Sequence, residues 1–275
     1  MKNKNRIVIT GAASGLGRAI ALRYAKEGWT VCVADMHHER GEETVEMISS
    51  RKGGAAFFHY CDVTSNEDLE KVAQAMDERF GGTDIIVNNA GIAAGGAFED
   101  ETLAGWERML SINLMGVVKG CKAFVPRFKR QAHGHIVNIA SMAGLLSMPF
   151  MSSYNVAKAG VVSLSETLYG ELTPYNIHTT CICPSFFKTN LTESVGDSDK
   201  QLVENIQRYM EKSAISADDI ADMIYAAVED KQLFLLPHDK AKEAWLFKQN
   251  QPDLFFAESV KYGQNLKDKA EQVGA

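Results

Sequence analysis

"RIVITGAASGLGRAIA", residues 6–21, decides the fold. A short β-branched run leads through glycines at 11, 15 and 17 into a segment with helical apolar spacing. That order of strand, glycine loop and helix turns the first N–H groups of the helix toward an anion. Gly11 permits the tight turn, Gly15 a close backbone approach to a diphosphate, and Gly17 close packing of helix on strand. Ser14 and Leu16 lie between them in the same loop. The stretch reads as the opening of a dinucleotide-binding domain.

The next signals fall where a dinucleotide would need them. Asp35 ends the second apolar run, eighteen residues past Gly17, and Met36, His37 and His38 follow it. A carboxylate there accepts from a ribose 2′-hydroxyl and repels a 2′-phosphate. No arginine is adjacent to hold that phosphate, so the expected cofactor is NAD, with NADP less favoured. Asp62, followed by Val63, ends the third run, where a side chain reaches an adenine amino group or caps the next helix.

The rest of the chain repeats the alternation. Strand-like runs at 6–10, 30–34, 55–61, 84–89, 134–140, 178–183 and 233–236 are rich in Val and Ile. Several are apolar throughout, as in parallel strands buried on both faces. Helical patterns separate them at about 15–28, 38–51, 65–80, 102–131, 153–172 and 216–229. "SADD", 216–219, reads as a capping box with an acidic third position. The expected fold class is α/β: a doubly wound Rossmann-type parallel sheet of about seven strands between two helical layers. One domain is expected over 1–240, with a lid at about 190–212. A helical tail over 241–275, carrying Trp245, Phe247, Phe255 and Phe256, is expected to pack on the domain or on a partner subunit.

Composition closes off other classes. A net charge of −6 argues against nucleic acid as the main partner. No apolar run reaches the roughly 18 residues that span a bilayer. The first residues run straight into a strand without a signal-peptide core, so a cytoplasmic protein is expected. Five cysteines, at 32, 61, 121, 181 and 183, form no CxxC pair. They read as buried structural thiols, and no metal site is expected.

Several motifs in one order carry a resemblance. "TGAASGLG" (10–17), "NNAG" (88–91), Asn113, Ser141, "YNVAK" (154–158) and "PSFFKT" (184–189) together resemble the compact, single-domain short-chain dehydrogenases/reductases. The resemblance covers about residues 5–236. It implies NAD(P)-dependent oxidation of alcohols or reduction of ketones. It also implies Tyr154 as acid/base, Lys158 as its helper, Ser141 holding the substrate oxygen and Asn113 organising a water-linked proton path. Asn89, Ala90 and Gly91 would border the adenosine, and Pro184, Phe187 and Thr189 would hold the nicotinamide amide. Ser185 stands where the family usually has glycine, which bears on the backbone shape of that loop.

The Tyr–Lys spacing has a physical rationale. Residues four apart share a helix face, so Tyr154 and Lys158 can serve one site. Moving a phenol from a pKa of about 10 to about 7 takes roughly 4 kcal/mol. An ammonium at about 4.5 Å supplies roughly 3.7 kcal/mol at an effective dielectric of about 20. Met142, Leu146, Phe150 and Phe186, with residues 93–97, suggest an apolar pocket for a hydrophobic secondary alcohol or its ketone. A homodimer or homotetramer is expected, with the long helices offering the dimer surface. Two rival readings stand beside this one. One is an NADP-dependent ketoacyl or polyketide-type reductase, disfavoured by Asp35 and by the tail. The other is a non-catalytic dinucleotide sensor, disfavoured by the intact Ser141, Tyr154 and Lys158.

Overall fold

Alternate residues of each strand face opposite sides of a sheet, and here both sides are apolar. Ile7 and Ile9 of the first strand, with Val31 and Val33 of the second, join one core; Val8, Cys32 and Ala34 join the other. Such strands need cover on both faces. The structure, a computed structural model, describes residues 5–51, 53–187, 210 and 213–273, with side chains as far as 268.

Among the described residues, seven strands form one parallel sheet in the order β3-β2-β1-β4-β5-β6-β7. They are β1 (Arg6–Thr10), β2 (Thr30–Asp35), β3 (Ala56–Tyr60), β4 (Ile85–Asn88), β5 (Gly134–Ile139), β6 (Ile177–Ile182) and β7 (Phe234–Leu235). Helices α1 (Gly15–Lys26), α2 (His38–Ser49) and α8 (Ala217–Glu229) supply one core; α3 (Asn66–Phe80), α5 (Gly116–Gln131) and α7 (Ser152–Leu172) supply the other. The chain runs outward from β1 to β3 and then crosses back to β4 beside β1. The ends of β1 and β4 thus form the switch point where open α/β sheets bind ligands.

The helix expected over 102–131 runs on without a gap from 103 to 131, but it is not α-helical throughout. It consists of α4 (Leu103–Leu110), a π-helical turn (Ser111–Met115) and α5, and the turn places the buried Asn113. The loop after β5 contains a one-turn helix, α6 (Ala143–Leu146), which ends in Ser147 at φ 56°. The capping box at α8 is present, with Ser216 and Asp219 exchanging bonds.

Two helices follow β7: α9 (Asp239–Asn250) and α10 (Pro252–Val273). They lie on the α7 side, where Ala241 is buried and Ala244, Trp245 and Phe255 pack against the core. Trp245 meets Phe234 of β7 with ring centroids 6.2 Å apart. Lys248 Nζ donates to the Leu145 carbonyl at 2.6 Å, tying α9 to α6.

Candidate active site

Gly11 and Gly15 have φ of +66° and +53°, in the left-handed region that suits glycine. At Gly11 a Cβ would lie 2.8 Å from Ala90 Cα, and at Gly17 it would strike the Gly11 carbonyl oxygen and the Asn89 amide. The "NNAG" segment is therefore pressed onto the glycine loop. Asn89 Nδ2 donates to the Thr10 and Gly11 carbonyls at 2.9 and 3.1 Å, and Thr10 Oγ1 accepts from the Asn89 and Ala90 N–H groups.

The N-terminus of α1 fits a diphosphate. The first turn of a helix leaves N–H groups without intrahelical partners. Ser65, Thr102 and Ser216 cap α3, α4 and α8, but Ser14 makes no side-chain cap to α1, and the first turn of α1 holds no acidic residue. The donors at Gly15, Leu16 and Gly17 have no side-chain cap and lie beside two left-handed glycines, so an anion can take them.

Asp35 does more than its position suggested. Its buried carboxylate accepts from Ala13 N–H and from His37 N–H, each at 2.9 Å, so it braces the glycine loop from the end of β2. A carboxylate has about four lone-pair sites, which leaves capacity for ribose hydroxyls. Met36 beside it is exposed. Asp62 does not cap α3, a role held by Ser65; its Oδ1 accepts from both the N–H and the hydroxyl of Thr64 at 2.8 Å. Val63 is buried against Gly116 at the start of α5.

Asn113 sits in the π-helical turn with its side chain fully buried. Its Oδ1 accepts from Ile92 N–H and its Nδ2 donates to Ile92 O, both at 2.8 Å. It thus fixes the backbone just past Gly91, where a Cβ would lie 3.1 Å from Asn113 Oδ1 and 3.7 Å from Lys158 Nζ. Beneath it runs a polar chain that locks β4, β5 and α7 in register. Asn88 Nδ2 donates to Asn138 Oδ1, Asn138 Nδ2 to Ser165 Oγ, and Ser165 Oγ to Val161 O.

Ser141 stands just past the end of β5, and Tyr154 and Lys158 lie in the first two turns of α7. The Tyr154 phenol lies beside the Ser141 hydroxyl. Ser141 Oγ also accepts from Ala143 N–H at 3.1 Å and donates to Pro184 O at 3.4 Å. Both Tyr154 and Lys158 are buried. Burial pushes the phenol above its usual value, with the Ser141 hydrogen bond pulling the other way. Burial also draws Lys158 down to about 8, partly offset by the nearby Cys181 and Cys183. Lys158 Nζ donates to Ile139 O at 2.8 Å and lies 5.8 Å from the centre of the Tyr154 ring. The sequence argument needed a lysine strong enough to correct the phenol. Desolvation shifts both groups toward their neutral forms, but Lys158 still carries its charge below about pH 8.

The residues expected to form an apolar wall differ in burial. Met142 and Leu146, at the two ends of α6, are buried and join the core on the α7 side. Phe150, at φ 62°, and Phe186 are only partly buried, and the Phe150 carbonyl accepts from Gly96 N–H at 2.9 Å. Pro184 and Phe187 are buried at the end of β6. Thr189 and all but Met210 of the expected lid lie outside the described residues.

Two contacts carry no local sequence signal. Glu101, ahead of α4, accepts from Ser153 N–H at 3.4 Å and, through its other oxygen, closely from the Ser153 hydroxyl. Met151 gives α7 no side-chain cap, so this distant carboxylate serves that end, where negative charge is favoured. His238, after β7, accepts from Ser185 N–H. All five cysteines are buried, and among the described residues no group of three or more His, Cys, Asp or Glu is placed to hold a metal ion. No described helix is long and apolar enough to cross a membrane.

Residues 5–200 match the sequence profile of the short chain dehydrogenases, and the chain belongs to the short-chain dehydrogenase/reductase family. It is 34% identical over 235 residues to the "probable oxidoreductase EphD" of Mycobacterium tuberculosis. That match covers 82% of this chain but only 40% of the mycobacterial protein, so the chain spans less than half the length of this relative. A short-chain dehydrogenase/reductase from Burkholderia phymatum, solved in complex with NAD, superposes with a TM-score of 0.86 at 30% identity, covering 91% of this chain and 94% of that one. A short-chain dehydrogenase from Sphingobium yanoikuyae, solved with NADPH, superposes at 0.76 with 27% identity, covering 90% and 94%.

Proposed function

We propose that the protein is an NAD-dependent oxidoreductase that moves a hydride between nicotinamide and a hydrophobic secondary alcohol or ketone. The observation that carries this is the Ser141–Tyr154 hydroxyl pair, with Tyr154 buried one helical turn from the buried Lys158, just past the strand ends of the sheet that bears the glycine loop. A bound nicotinamide dinucleotide would supply the hydride acceptor for oxidation or the donor for reduction.

The chain's own residues handle the oxygen and its proton. In oxidation Ser141 Oγ holds the substrate oxygen while Tyr154 Oη takes the hydroxyl proton; in reduction Tyr154 returns it as the carbonyl oxygen gains charge. Lys158 keeps a positive charge beside the phenol below about pH 8. Asn113 holds the backbone at Ile92, close to Lys158, and a proton path to solvent would pass there. Phe150 and Phe186 give the substrate side an apolar lining.

Asp35 supports NAD over NADP. Its carboxylate stands at the end of β2 next to the loop, where a 2′-phosphate would meet negative charge. Arg18, the nearby guanidinium, is already spent on Ala13 O and on Glu43 at 2.7 Å. NADP remains the second reading, since a relative of the same fold was solved with NADPH. A panel of secondary alcohols and ketones, followed at the NADH absorbance with both cofactors, tests the proposal. The expected result is turnover of apolar substrates with a preference for NAD(H). Activity confined to charged sugars or acids, or a preference for NADPH, would overturn the corresponding part.

A further inference from the structure

The loop after β6, residues 184–187, is held from two sides. On one side Pro184 O accepts from Met142 N–H at 2.9 Å and from Ser141 Oγ at 3.4 Å. On the other, Ser185 N–H donates to His238 Nδ1 at 3.1 Å, across 53 positions of sequence. His238 occupies the N-cap position of α9, yet its side chain gives that helix no cap and turns instead to the loop. Accepting at Nδ1 puts the ring proton on Nε2, and that atom is buried with no hydrogen-bond partner of good geometry. An imidazole that takes the Ser185 N–H at one nitrogen and has the Phe186 backbone acting on it is held by the loop and not by its own helix.

We propose that His238 is a positioning residue: it fixes the backbone at Ser185 and, through it, the loop that holds the nicotinamide end of the cofactor. This rests on the dinucleotide reading above. The loop meets Ser141 at one end and His238 at the other, so α9 shapes the site without touching the reacting atoms. A second tie acts in the same direction, because Lys248 of the same helix holds Leu145 in the loop after β5. The tail helices are thus fastened to both loops that flank Ser141.

The ring's basicity makes the clamp dependent on pH. Burial lowers its pKa below the usual value; the Phe186 backbone and the charge of Asp239 act the other way and are smaller. The residues of the loop itself, Pro184, Ser185, Phe186 and Phe187, bring no charge to it. Near neutral pH the ring is uncharged and accepts from Ser185. Once protonated, its Nδ1–H would face the Ser185 N–H, donor against donor, and the clamp would open.

Hydrogen–deuterium exchange of the cofactor-free full chain tests the clamp directly, and NADH titration by fluorescence tests its consequence. His238→Ala should speed exchange at Ser185 by up to about tenfold, the share of one hydrogen bond, and weaken NADH severalfold. His238→Asn places an acceptor where Nδ1 stands and should restore both. Acidification below the histidine range should weaken NADH in the wild type more than in His238→Asn. Unchanged Ser185 exchange in His238→Ala, or an Asn variant no better than the Ala variant, would overturn the clamp. Wild-type protein that shows the exchange pattern but binds no NADH would overturn the dinucleotide reading instead.

Discussion

Lys158→Met should move the pH dependence of alcohol oxidation upward by about two units. The ammonium lies 5.8 Å from the centre of the Tyr154 ring. At an effective dielectric of about 20 that distance gives about 3 kcal/mol of preference for the phenolate. Each pKa unit corresponds to about 1.4 kcal/mol, so loss of the charge raises the phenol by about two units. Burial raises Tyr154 in both proteins, and comparing them isolates the charge. The assay is kcat against pH with cofactor and substrate saturating, which separates proton abstraction from any loss of cofactor affinity. At neutral pH the variant should be slower by roughly 100-fold and recover part of the rate as pH rises. An unshifted profile, with only the KM for cofactor changed, would refute the role of the charge and leave Lys158 a binding residue.

Three further outcomes follow from the same geometry. Lys158 has a folded pKa of about 8, below the usual lysine value. The unfolded chain therefore holds its proton longer, and stability rises with pH between about 8 and 10.5. Urea unfolding should show the wild type gaining up to about 3 kcal/mol over Lys158→Met across that window; parallel curves would contradict it. Asp35→Ala removes two backbone braces as well as a charge, at roughly 1 kcal/mol for each lost bond. Titration should show weaker NADH binding together with a narrower preference over NADPH. Glu101→Ala should cost about 0.5–2 kcal/mol, as for a lost helix cap, with a fall in kcat that Glu101→Gln largely restores; calorimetry and kinetics in parallel check both.

The sheet was legible because its signals are local. β-branched runs, the glycine loop and the apolar spacing between them specify strands and helices within a few residues of where they lie. Asp35, Ser141, Tyr154 and Lys158 were expected together on motif order and on the family resemblance, and each stands at a strand end or one helical turn from its partner. Contacts between distant segments were not legible. Glu101 reaches Ser153 over 52 positions and His238 reaches Ser185 over 53, with no pattern to announce either. The π-helical turn at Asn113 was not legible because helical spacing runs through it, while the side chain bonds Ile92 in another segment.

The most direct test of the account is Tyr154→Phe, which removes one oxygen and keeps the packing of a buried ring. The account predicts NADH binding equal to wild type and a loss of ketone reduction on the order of 10²–10⁴-fold, the usual share of a general acid. Turnover within a few-fold of wild type, with NADH bound equally well, would contradict it.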